Sequence, residues 1–202
     1  MIDHVVLAVR DLDASAARLE REHGLASYAG GRHAHGGTAN RIVPLGSQYL
    51  ELMALVEPGA AEGWGRLVAE LAAEGDRPAL WCLRIEGIDA VAARLGLAVE
   101  DWSRTLPDGS ELRWRLAGTE AAAVEPCLPF FIEWDDPERH PARVEVPHTA
   151  RPQGIAWVEV AGEPDRLREW LGDADVPVRV VQGRPAVRAF AVAMADGAFR
   201  VA

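Results

Sequence analysis

Residues 2–14 read Ile2-Asp3-His4-Val5-Val6-Leu7-Ala8-Val9-Arg10-Asp11-Leu12-Asp13-Ala14. The first eight are rich in β-branched and apolar residues and close at a charged turn, as a strand does. From Asp11 the spacing changes. Leu12, Ala16, Leu19 and His23 recur with a helical period, and Gly24 stops the run. Three further strand patterns follow, near 26–30, 39–45 and 48–56, parted by the glycine-rich 30–37 and by Gly46. The order is β-α-β-β-β.

That order returns. Residues 79–86 have strand character and 88–96 fit a short helix ending at Gly96, with strands near 98–105, 110–117 and 129–135. Gly87-Ile88-Asp89-Ala90 aligns with Asp11-Leu12-Asp13-Ala14 at an offset of 76 residues. A third pass runs through a strand at 154–161, a helix at 164–171, and strands near 178–182, 187–194 and 198–201. An amphipathic helix at 63–74 separates the first two passes, and a proline- and charge-rich connector at 135–153 the last two. A βαβββ unit cannot bury its sheet alone, so an α+β fold is expected in which units pair. Helices then cover the outer face of a mixed sheet and a cup forms on the other. Residues 1–141 make the paired unit, from modules at about 2–56 and 79–135, and 154–202 a third, partial βαβββ-like module. The third either packs on the outside of the cup or pairs with a second chain, giving a homodimer.

Composition narrows the function classes. All 21 cationic residues of the 202 are arginine. The absence of lysine excludes a Schiff-base lysine, a pyridoxal-phosphate attachment and a P-loop. A net charge of −10 without a basic block argues against nucleic acid or an anionic membrane as partner. Cys82 and Cys127 make neither a disulfide framework nor a zinc cluster. No basic leader and no membrane-length apolar run is present, so a cytoplasmic location is expected. No Gly-X-Gly-X-X-Gly follows a strand, so no nucleotide cofactor is expected.

Strand parity sorts faces. Val5, Leu7 and Val9 belong under the helix, leaving His4, Val6 and Ala8 toward the cup. Leu50, Leu52, Ala54 and Val56 form the apolar set of their strand, leaving Tyr49, Glu51 and Met53 in the cup. By the same reasoning Phe130, Ile132 and Trp134 go with the core, and Phe131 and Glu133 face the cup. A shift of one residue exchanges the faces. A carboxylate inside an apolar strand calls for a partner or a bound species, which singles out Glu51 and Glu133.

Asp3-His4-Val5-Val6, Gly37-Thr38-Ala39-Asn40, Tyr49-Leu50-Glu51-Leu52, Trp114-Arg115 and Pro129-Phe130-Phe131-Ile132-Glu133-Trp134 resemble the glyoxalase-like branch of the vicinal oxygen chelate superfamily. The resemblance covers residues 2–141, and the third module only through its element order. It implies paired βαβββ modules around a cup, and in many members a divalent metal held by the first and last strands of each module. Carried over, the ligand set is His4, Glu51 and Glu133. The fourth position falls on Leu80, and its third-module counterpart on Ile155, neither a ligand. One imidazole and two carboxylates suit Fe, Mn, Ni, Co or Zn and leave positions for water and a substrate with neighbouring oxygens. The alternative is a metal-free cup in which one glutamate keeps its proton.

His35, with His33 beside it on the glycine-rich segment, either supplies the missing ligand or touches substrate at the rim. Thr38 and Asn40 offer a hydroxyl and an amide to a substrate oxygen, or serve as strand-edge hydrogen bonders. Arg115 can grip a carboxylate if it faces the cup. Two readings follow. In the first, a metal-dependent lyase, isomerase or dioxygenase acts on a small oxygenated molecule, with Glu51 or Glu133 moving a proton. In the second, a metal-free protein sequesters a small molecule in an aromatic cup.

Overall fold

The computed structural model describes residues 1–33, 36–106 and 109–202. Strand β1 (Ile2–Ala8) leads to helix α1 (Leu12–His23), which starts where the Asp11 carboxylate accepts the N–H groups of Asp13 and Ala14. Gly24 ends it at φ 67°, and a Cβ there would lie 2.5 Å from the Thr149 hydroxyl. Only glycine allows that approach. Strands β2 (Tyr28–His33), β3 (Thr38–Pro44) and β4 (Tyr49–Leu55) complete the first module, and α2 (Trp64–Ala72) follows. The second module comprises β5 (Arg77–Arg84), α3 (Ile88–Leu95), β6 (Val99–Thr105), β7 (Glu111–Ala117), α4 (Thr119–Val124) and β8 (Phe130–Trp134).

These eight strands form one sheet in the order β2-β3-β4-β1-β5-β8-β7-β6. Each module pairs its first strand parallel to its last, β1 with β4 and β5 with β8, and β1 and β5 join the modules antiparallel. The sheet curls until its two edges approach: a Cβ on Gly31 of β2 would lie 3.5 Å from Nη1 of Arg104 on β6. The curl makes the expected cup.

Two cores lie on the sheet's two sides. The convex one holds Val5, Leu7, Leu50, Leu52, Trp81, Ile88 and Phe131. The concave one holds Val6, Tyr49, Met53, Leu80, Phe130, Ile132 and Trp134. Parity is therefore as expected in β1 and β4 and inverted in β8. Phe131 and Glu133 face away from the cup, a correction to the sequence reading. The cause is that β8 is apolar on both faces, so alternation gave no choice between them.

The third segment, β9 (Pro152–Ala161), α5 (Pro164–Leu171), β10 (Val178–Val181), β11 (Ala186–Met194) and β12 (Gly197–Val201), forms a separate four-stranded sheet. It keeps the β-α-β-β-β element order but not the pairing. Here β9 lies parallel to β10, the strand directly after the helix, and antiparallel to β11. It packs on the convex side, where Ile155, Val158, Leu167, Trp170 and Phe190 join the same core as Trp81, Leu83 and Phe131. The Trp170 indole N–H donates to the Pro129 carbonyl at 2.8 Å, and the Ile155 N–H to Gln48 Oε1 at 2.7 Å. Helices α2 and α4, the latter not foreseen, lie on the concave side, where Val68, Ala72 and Ala122 join the inner core. No helix among the described residues is long and apolar enough to cross a membrane.

Candidate functional site

The cup encloses a cavity of about 780 Å³, lined from both modules. Glu51, 6% exposed, is carried into it by β4. Asn40 of β3 donates its amide N–H to Glu51 Oε1 at 2.5 Å. The other oxygen, Oε2, lies 3.5 Å from His4 Nε2, beyond a strong hydrogen bond. A substrate atom can therefore sit against both. His4 stacks on Tyr49 at 4.4 Å between centroids and meets the edge of Phe130 at 5.4 Å, which fixes its ring.

Behind His4 is a residue that the sequence reading did not single out. Asp3, fully buried, accepts from His4 Nδ1 at 2.7 Å, from His140 Nε2 at 2.9 Å and from the Trp134 indole at 3.2 Å. Burial alone would raise its carboxyl, but the bonds from His140 and then His4 hold it well below the usual carboxylate range. His140 accepts the Ala142 N–H at Nδ1, so it carries its proton on Nε2 and is the neutral tautomer. An anionic Asp3 holds a proton on His4 Nδ1, with Nε2 turned to Glu51. The only sequence signal was the Asp3-His4 pair itself. His140 lay in a connector that no periodicity marks.

His33 of β2 also points inward, with Nδ1 2.9 Å from the Thr38 hydroxyl and Nε2 3.9 Å from Glu51 Oε1. Burial lowers its pKa, against the pull of Glu51, which keeps it neutral at pH 7. Thr38 is fully buried and acts as the partner of His33. Asn40 lines the cavity and braces Glu51, while its own carbonyl oxygen accepts the Gly31 N–H at 2.7 Å. A Cβ on Gly30 would collide with that oxygen, so glycine at 30 is what lets Asn40 reach in. Cys82 is buried, and burial pushes its thiol up, away from a nucleophile's role.

Glu133 and Arg115 lie elsewhere. Glu133 accepts the Gly87 N–H and pairs with Arg115, which also reaches Asp89 at 2.9 Å. Burial would raise the Glu133 carboxyl, but the Gly87 N–H and then Arg115 bring it below its usual value. This pair caps the start of α3 outside the cup, which corrects both assignments: neither touches the cavity. His35 lies outside the described residues.

A divalent ion in this cup would need donors from both modules. The first offers His4, Glu51 and His33, but the cavity-facing positions of β5 and β8 are Leu80, Phe130, Ile132 and Trp134. With Glu133 outside, the set His4, Glu51 and Glu133 does not assemble, and no group of three or more His, Cys, Asp or Glu among the described residues is arranged as a metal site. The donor set does not fit the ion that the resemblance implies.

The second module supplies the wall. Trp64, Trp102, Trp114 and Trp134 run around the cup, with successive centroids 5.5, 6.5 and 5.5 Å apart. Trp64 comes from α2 and the rest from β6, β7 and β8. The sequence reading assigned Trp134 to the core because it inverted β8.

A family model described as a glyoxalase-like domain matches residues 2–174. The chain belongs to the glyoxalase-like domain family. Among solved structures, a hypothetical protein from Staphylococcus aureus matches 98% of this glyoxalase-like chain and 97% of its own, at 15% identity and a TM-score of 0.69. The shared fold thus extends through the third segment. Methylmalonyl-CoA epimerase from Mycobacterium tuberculosis matches 66% of this chain and 85% of its own, at 19% identity and a TM-score of 0.45. A single-residue variant of the Streptomyces coelicolor epimerase, in complex with 2-nitronate-propionyl-CoA, matches 73% and 98%, at 19% identity and a TM-score of 0.46. No curated protein matches the chain.

Proposed function

We propose that this glyoxalase-like protein is an enzyme of the isomerase or lyase type that moves a proton next to a carbonyl group of a small molecule held in the cup. The observation that carries this reading is the buried Asp3–His4–Glu51 series facing a roomy apolar cavity. Asn40 occupies one oxygen of Glu51, so the other is the base. Glu51 Oε2 takes a proton from the carbon, and the electron pair moves into the carbonyl oxygen. His4, protonated at both nitrogens in this step, gives the Nε2 proton to that oxygen, and the Asp3 carboxylate stabilises the imidazolium. Return of the proton to a different position or face gives the isomer, and expulsion of a neighbouring group gives the lyase reaction.

A base of this kind contributes on the order of 10²–10⁴-fold in rate. The test is deuterium incorporation from D2O into the CH2 beside the ketone of 3-benzoylpropionate, followed by proton NMR. The wild-type protein should accelerate exchange, and Glu51→Gln should lower it by about 100-fold or more. Exchange at the same rate in both proteins would reject Glu51 as the base. A second reading, a protein that only sequesters its ligand, is favoured by the apolar surface that Leu80, Phe130 and Ile132 give the cup. Binding of aromatic compounds with no exchange in any of them would select it.

A further inference from the structure

Two polar hydrogens in the cup wall have no acceptor among the described residues. Nε of Arg104 and the indole Nε1 of Trp64 are both buried and, among the described residues, unpartnered. Buried N–H groups are nearly always satisfied, so orphaned donors in a cavity mark where a ligand atom belongs. Both residues line the cavity. Arg104 and Trp102 alternate inward on β6, and Trp102 lies 5.5 Å from the Trp64 ring. Trp64 lies 6.3 Å from His33, near the place where Arg104 crosses to Gly31.

We propose that Arg104 and Trp64 form an oxyanion clamp and that the ligand of this cup is an aromatic monocarboxylate. This rests on the proposed active site and names its substrate class. Arginine Nε and an indole N–H can each donate to a carboxylate oxygen, and the guanidinium supplies the balancing charge. Trp102 and Trp114 line the same cavity and give the ring a stacking surface. A cavity of about 780 Å³ suits a bicyclic acid. The charge of the ligand is limited as well. Glu62, Glu100, Asp101 and Glu120 line the cavity with Glu51, against Arg104 and an Arg32 already paired with Glu57. Such a rim repels a dianion or a polyphosphate and tolerates one negative charge seated on the clamp.

The experiment is calorimetric titration of the full chain with 2-naphthoate, with uncharged 2-naphthamide and with the dianion 2-naphthyl phosphate. The wild-type protein should bind the naphthoate about tenfold or more tighter than the amide, and the phosphate more weakly than the naphthoate. Arg104→Gln and Arg104→Leu should bring naphthoate and amide to within about twofold, and Trp64→Phe should weaken naphthoate about threefold or more. Equal affinities in the wild type, a preference that survives both Arg104 variants, tighter phosphate binding, or no heat with any ligand at millimolar concentration would each overturn the clamp. Glu51→Gln keeps the naphthoate preference. A preference without deuterium exchange therefore rejects the proton-transfer reading alone, and exchange without a preference rejects the clamp alone.

Discussion

Asp3 shows how one residue joins stability to chemistry. Its carboxylate is fully buried and holds two imidazoles and an indole. Removing it strands three donors in a dry site, so Asp3→Ala should cost about 3 kcal/mol or more, read from urea denaturation. Asp3→Asn keeps the volume and removes the charge. Because the folded carboxyl titrates below its unfolded value, its contribution is full above about pH 5 and fades as the pH falls below about 4. The stability gap between wild type and Asp3→Asn should thus narrow from about pH 6 to about pH 3. A gap that widened with acid would mean that Asp3 is not an anion held by its neighbours. Of the Asp3–His4–Glu51 series, His4 and Glu51 stood out in the sequence, because a titratable residue inside an apolar strand is conspicuous. Asp3 sat beside His4 but was assigned no face, and strand parity does not carry through it because the β1–β5 register shifts between Ile2 and His4.

At the scale of elements, strand and helix order was legible nearly throughout, since periodicity and glycine stops mark each element of the two modules. The failures have definite causes. The short α4 (Thr119–Val124) spans fewer than two turns and shows no helical stripe. Strand β8 is covered on both sides, by the cup and by Trp170 of α5, whose ring lies 6.1 Å from Phe131, so its run of aromatic and aliphatic residues reads the same in either register. That single inversion moved Glu133 into the site on paper. Glu133→Gln should therefore leave naphthoate affinity unchanged within about twofold, while Gly30 within β2 is far less tolerant. Gly30→Ala pushes on the Asn40 carbonyl, and with it displaces the amide that braces Glu51. Exchange activity should fall about tenfold or more with little change in naphthoate binding, as NMR exchange and calorimetry would show.

Over the whole molecule, the third segment decides how the chain behaves. Its residues and those of the two-module sheet share one convex core, so unfolding should be a single transition with coincident fluorescence and circular dichroism curves. Trp170→Ala, which removes a buried ring and its bond to Pro129, should cost about 3–5 kcal/mol and destabilise both parts together. Two separated transitions would show that the third segment is an independent domain. The repeat in the sequence revealed that a third β-α-β-β-β run exists, but not how it pairs, because element order is the same for both sheet topologies. Its attachment to the convex side leaves the cup open to solvent and to ligands. The most direct test of the account is deuterium exchange into 3-benzoylpropionate measured side by side in the wild type, Glu51→Gln and Glu133→Gln. Exchange lost in the first variant and kept in the second is the predicted result. Exchange lost with Glu133→Gln and kept with Glu51→Gln would contradict it.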